Sequence, residues 1–102
     1  MITVEYAHNG KHYTDLVVSG HAEYAEHGHD IVCSAVTALL FGVKNTIEYQ
    51  STTKGHAKSG SFNLVISTPT SVTDIIIDGF FDTITQINKK YPNRIEIQED
   101  EE

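Results

Sequence analysis

An α+β fold of two layers is predicted by three features of the chain. Apolar residues alternate near both ends and in the middle, two long segments switch to helical spacing, and the two kinds of segment are interleaved. The expected order is β-β-α-β-(β)-α-β, a mostly antiparallel sheet with two helices packed on one face. The 102 residues suit a single domain, since domains usually run about 100–150 residues. That domain is expected to cover 1–98, with an acidic tail at 99–102.

Ile2, Val4 and Tyr6 alternate with Thr3 and Glu5, the pattern of a half-buried strand. Asn9-Gly10 is a hairpin turn signal, and a second strand follows from Tyr13 to Val18. Ser19 to His29 is polar, has Gly20 and Gly28 near its ends, and reads as a loop. From Ile31 the period changes: Val32, Val36, Leu39, Leu40, Val43 and Ile47 draw one apolar stripe of a helix reaching about Tyr49. Ser51 to Lys54 reads as loop, and a strand can begin at Gly55. A clear strand, Phe62 to Ile66, ends before Pro69. Ser71, three residues before Asp74, resembles a capping signal for a second helix. Ile76, Phe80, Ile84 and Ile87 mark its inner face, and Asp74, Asp78 and Asp82 form an acidic ridge. Lys89 and Lys90 suit the negative end of that helix, and Pro92 stops it. Arg94 to Gln98 alternates again.

The composition is that of a folded globule: 39% hydrophobic and 21% charged, with only 2 Pro, which excludes a disordered or collagen-like chain. A net charge of −7 without a basic stretch argues against binding nucleic acid directly through its phosphates. The single cysteine excludes an internal disulfide. The opening Met-Ile-Thr-Val-Glu-Tyr lacks the features of a signal peptide, and no apolar run approaches the ~20 residues of a membrane span. A cytoplasmic location, with no membrane partner, is expected.

Cys33 lies in the first turn of the first helix, where unpaired backbone N–H groups and the helix dipole favour a thiolate. A cysteine in water has a pKa of about 8.5, and lowering it by about two units takes roughly 2.7 kcal/mol. A helix terminus supplies about 0.3–1 kcal/mol and at best about 2. The dipole alone falls short, so a nearby cation is needed. His21, twelve residues earlier at the end of a strand, is the best candidate, and as neutral imidazole it can also act as general base. The competing reading is a packed core cysteine, a common fate of this residue type.

The segments Gly20-His21-Ala22 and Gly28-His29-Asp30-Ile31-Val32-Cys33-Ser34-Ala35-Val36-Thr37 resemble the signature of the ribosomal-processing cysteine protease family, Prp. That pattern is Gly-His-Ala, a short loop, then Gly-x-Asp-Ile-Val-Cys-Ala-Ala-Val-Ser. The resemblance implies a small cytoplasmic endopeptidase that needs no cofactor, with Cys33 as nucleophile and His21 as base. It implies removal of the N-terminal extension of a basic large-subunit ribosomal protein (number twenty-seven), and a homodimer. Gly20, Gly28, Asp30, Ser34 and Thr37 would support the site. Two residues depart from the pattern: Ser34 replaces the usual alanine, and Thr37 stands where serine is common. The Thr37 hydroxyl can face the site or bond back to the carbonyl of Cys33. Asp30 has two incompatible roles, as N-cap of the helix or as the acid that orients His21. The loop between Gly20 and Gly28 is expected to order over a bound peptide.

Two rival functions follow from the same residues. One is a non-catalytic, homodimeric, ribosome-associated binding module with a buried cysteine. The other is a zinc site made by His21, His27, His29 and Cys33, disfavoured because Gly28 and a capping Asp30 set His29 outside the helix. His8, His12 and His56 are expected on the surface. The acidic ridge and tail offer a field that attracts a basic substrate protein.

Overall fold

The computed structural model describes residues 1–21, 30–50, 53–58 and 61–100, with backbone alone at 49–50 and 53–58. The elements are β1 (Ile2–His8), β2 (Tyr13–Ser19), α1 (Ile31–Gln50), β3 (Thr53–Lys58), β4 (Ser61–Ile66), α2 (Ser71–Lys90) and β5 (Ile95–Glu99). They match the order expected, with β3 beginning two residues before the predicted strand. The sheet runs β3-β4-β2-β1-β5, antiparallel throughout except for the parallel pair β1–β5.

One face of the sheet carries Ile2, Val4, Leu16, Val18, Phe62, Leu64 and Ile66, all buried, and the two helices lie side by side against it. The predicted stripe of α1 packs there: Val32, Val36, Leu40, Val43 and Ile47 are buried, with Leu39 at the margin. α1 is long and apolar enough over Ile31–Glu48 to cross a membrane, contrary to the reading of the sequence. Its apolar stripe is covered by the sheet instead, and the Lys44–Glu48 ion pair lies on its flank. On α2 the buried line is Thr73, Ile77, Phe80 and Ile84, so the face centres one position away from the predicted Ile76 and Ile87.

The start of α2 is also shifted from the expectation. The N-cap is Thr70, whose hydroxyl accepts from the Thr73 N–H while the Thr73 hydroxyl accepts from the Thr70 N–H. Ser71 is therefore the first helical residue. This leaves Asp74 for another task. Its carboxylate accepts from the Tyr13 N–H at 3.0 Å and pairs with His12 Nδ1 at 2.6 Å, while Asp78 accepts from the Tyr13 hydroxyl at 2.6 Å. Two of the three ridge carboxylates thus fasten the hairpin to α2, and His12 is half-buried rather than a surface residue. The Asn9 side chain closes the turn by accepting from the N–H groups of Lys11 and His12. His8 pairs with Glu99, which belongs to β5, and the Asp100 N–H donates to the Tyr6 carbonyl, so sheet pairing extends past residue 98 into the expected tail.

Tyr6, Tyr13 and Phe81 form an aromatic triangle with ring centroids 5.0–5.7 Å apart. Burial, and after it the hydrogen bond to Asp78, push the Tyr13 phenol above its ordinary range. Above about pH 10 an unfolded chain releases that proton while the folded one keeps it, so stability falls as pH rises. Tyr13→Phe should flatten the decline of Tm between about pH 9.5 and 11, measured by circular dichroism. Equal slopes in the two proteins would contradict this account.

Candidate active site

The register of the strands brings the motif residues to one end of the sheet. β2 delivers Gly20 and His21 at the end where Ser19 faces Thr3 of β1 and Ser61 of β4. β3 begins at the opposite end, with Thr53 facing Ile66. α1 leads into β3 and has 20 residues, a length of about 30 Å, so it traverses the sheet and starts at the end where β2 stops. Cys33 and His21 thus share that end of the fold.

Gly20 is required there for two reasons. Its φ of +87° lies in the left-handed region, and a Cβ on it would stand 2.4 Å from the Met1 carbonyl oxygen. The chain turns sharply against the start of β1, and His21 follows with its side chain exposed. Nothing in the sequence indicated that Met1 is what Gly20 meets.

Asp30 is 7% exposed and caps α1. Its Oδ1 accepts from the N–H groups of Val32 and Cys33, each at 3.0 Å, and its carbonyl accepts the first helical bond from Ser34 at 3.1 Å. The cap is thus observed for Asp30, one of the two roles its position offered. It has an electrostatic consequence, because a carboxylate in the first turn opposes the positive end of the dipole beside Cys33. It also occupies the Cys33 amide, which is therefore engaged as a donor in this state. The need for a cation beside the sulfur is stronger than the sequence suggested, and among the described motif residues His21 is the one at this end of the sheet that can supply it.

Cys33 is half-buried and packs against the hydrophobic core, so its placement is intermediate between the solvated and fully buried extremes. Ser34 is exposed, and its hydroxyl donates to the Asp30 carbonyl at 3.1 Å, which binds it to the helix start. Thr37 is exposed one turn beyond Cys33. Among the described threonines the bond back to the carbonyl four positions earlier is made by Thr46, Thr83 and Thr85 and not by Thr37. Gly28, His27, His29 and the expected closing loop lie outside the described residues. Among the described residues no group of three His, Cys, Asp or Glu side chains is arranged to hold a metal ion.

A model of the family described as "Cysteine protease Prp" matches residues 1–96. The chain is 51% identical over 49 residues to the ribosomal processing cysteine protease Prp of Staphylococcus aureus, a match spanning 46% of this chain and 45% of that relative. It is 33% identical over 86 residues to the protein of the same name from Mycoplasma genitalium, spanning 83% and 87% of the two chains. Among solved structures it is similar to an essential ribosomal processing protease Prp from S. aureus in complex with a covalently linked product peptide. That likeness has a TM-score of 0.83 and 27% identity, and covers 98% of this chain and 100% of the other.

Proposed function

This chain belongs to the cysteine protease Prp family, and from that premise we propose that it is a cysteine endopeptidase. Its proposed substrate is the N-terminal extension of a large-subunit ribosomal protein, number twenty-seven. The observation that carries the proposal is the family match over residues 1–96, with Cys33 at a helix start and His21 at the same end of the sheet.

In this mechanism neutral His21 takes the thiol proton of Cys33, and the thiolate attacks the scissile carbonyl carbon of the extended peptide. The tetrahedral intermediate collapses to a thioester as the imidazolium returns its proton to the leaving amine. The shortened protein departs as that amine; water, deprotonated by His21, then attacks the thioester and releases the N-terminal extension as a carboxylic acid, with the Cys33 thiol re-formed. Asp30 holds the first turn of α1, and so the sulfur, by capping. Thr37 offers an exposed hydroxyl on the next turn. No step needs a cofactor or a metal ion, and the reaction is assigned to the cytoplasm. The relative whose structure holds a covalently linked product peptide supports a covalent route. Family membership counts against the non-catalytic binding module.

The test is to incubate the protein with the extended ribosomal protein and follow the shortened product by mass spectrometry. A single new N-terminus, absent with Cys33→Ala, is expected. An unprocessed substrate would reject the assignment.

A homodimer belongs to the same proposal. The exposed residues of α1 from Ile31 to Thr46 (Ser34, Ala38, Phe41, Gly42 and Asn45 among them) carry no charge, and Phe41 and Ile31 remain about half exposed. Val72 and Ile75, at the start of α2, are exposed as well. A second copy would cover this face. Sedimentation should give twice the chain mass for the wild type and the monomer mass for Phe41→Glu, and a monomeric wild type would remove the dimer from the proposal.

A further inference from the structure

The geometry points to Asn88 as a positioning residue for His21, acting from the far end of α2 through the start of β1. Asn88 lies in the last turn of α2, where its Oδ1 accepts from two backbone N–H groups at once, those of Arg94 and Ile95, each at 3.1 Å. Two converging donors identify the acceptor as the amide oxygen. The four residues between helix and strand include Asn93 with φ +63°, a conformation that needs such local support. Asn88 therefore fixes where β5 begins.

From there the contacts run without a gap to the motif. The Ile2 N–H donates to the Arg94 carbonyl at 2.9 Å, and Ile2 faces Ile95 at the first register position of the parallel β1–β5 pair. Ile2 fixes the preceding Met1 carbonyl. That oxygen is the atom against which Gly20 turns, with no room for a Cβ between them. His21 is the next residue. A shift of the Arg94–Ile95 backbone is thus transmitted through Ile2 and Met1 to the turn that aims the imidazole. Contacts this close leave no slack in the packing to absorb it.

This role presupposes the Cys33–His21 pair, so the test reads the pair without needing the substrate. The probe is iodoacetamide, and the rate measured is alkylation of Cys33 at about pH 6.5, where an ordinary thiol of pKa about 8.5 reacts slowly. Asn88→Ala removes the shared acceptor and should slow alkylation by about tenfold, since displacements near 1 Å can cost about a hundredfold. Asn88→Asp keeps an oxygen acceptor for both N–H groups and should restore the rate to within about twofold. The added charge at the negative end of α2 should nevertheless lower Tm. A role confined to stability would instead leave the Asn88→Asp rate lowered along with its Tm. Asn88→Gln, which keeps the amide and moves its oxygen by one methylene, carries the test if the alanine variant does not fold, and a slowed rate is expected. Wild-type rates for Asn88→Ala or Asn88→Gln, or failure of Asn88→Asp to recover, would overturn the role. An inert thiol in the wild type overturns the pair itself and this role with it, a result distinguishable from the others because it appears before any Asn88 variant is made.

Discussion

His21→Ala should lower kcat/KM for the extended ribosomal protein by about 10²–10⁴-fold, the usual contribution of a positioned general acid–base, while leaving Tm unchanged. Its side chain is exposed, so truncation opens no cavity in the core. Cys33→Ala should abolish turnover entirely, because no other thiol exists in the chain. The two variants separate the roles through thiol chemistry. With His21→Ala, alkylation of Cys33 by iodoacetamide should slow most at pH 6–7 and converge on the wild-type rate above about pH 8.5, where a thiol ionises unaided. The physical reason lies in the cap. Asp30 binds the amides of Val32 and Cys33 through Oδ1, so the first turn of α1 carries a carboxylate as well as its dipole. A helix end supplies at best about 2 kcal/mol when nothing opposes it, and here something does. His21→Ala cleaving at the wild-type rate would remove the imidazole from the mechanism.

Most of the architecture was legible because it is written in local periodicity. The stripe of α1 packs where its spacing put it, and the hairpin turns at Asn9-Gly10, where Gly10 adopts φ +85°. What periodicity could not show was the partner of each polar side chain. Asp74 sits on an acidic ridge in the sequence, but its carboxylate holds His12 and the Tyr13 amide, residues some sixty positions away. The capping signal was displaced by one residue because Thr70 and Thr73 satisfy one another reciprocally, a pairing in which threonine replaces the expected Glu or Gln. The membrane-length apolarity of α1 was missed for a related reason. Its exposed residues as far as Thr46 carry no charge and include Ile31 and Phe41, so overall hydropathy is high although the buried stripe is narrow. At the site, spacing and residue type singled out Cys33, His21 and Asp30, and the strand register places the end of β2 and the start of α1 at one end of the sheet. Asn88 and the Met1 carbonyl had no sequence signal, because each acts through backbone geometry that the pairing of β1 with β2 and with β5 creates.

Gly20→Ala should be the most damaging single-methyl change in the motif. Two penalties coincide at that position. A left-handed φ of +87° costs an L side chain about 1–2 kcal/mol, and the new Cβ would lie 2.4 Å from the Met1 carbonyl oxygen, a separation real Cβ atoms do not tolerate. The obstructing atom is backbone, tied by the adjoining Ile2–Arg94 hydrogen bond, so it cannot rotate away as a flexible side chain would. Relief must come from displacing either the start of β1 or the chain at His21. The first disturbs two strand pairs, which register Thr3 against Ser19 and Ile2 against Ile95; the second moves a single exposed residue. The second is cheaper, so the strain should appear mainly as lost function. We expect a stability loss of about 1–3 kcal/mol by chemical denaturation and a fall in kcat of about 10²-fold. Gly10→Ala provides the comparison. It has nearly the same φ, +85°, with open space around its Cβ and no connection to the site. It should lose comparable backbone energy and retain full turnover. Equal loss of activity in both variants would mean that the motif glycine serves folding alone.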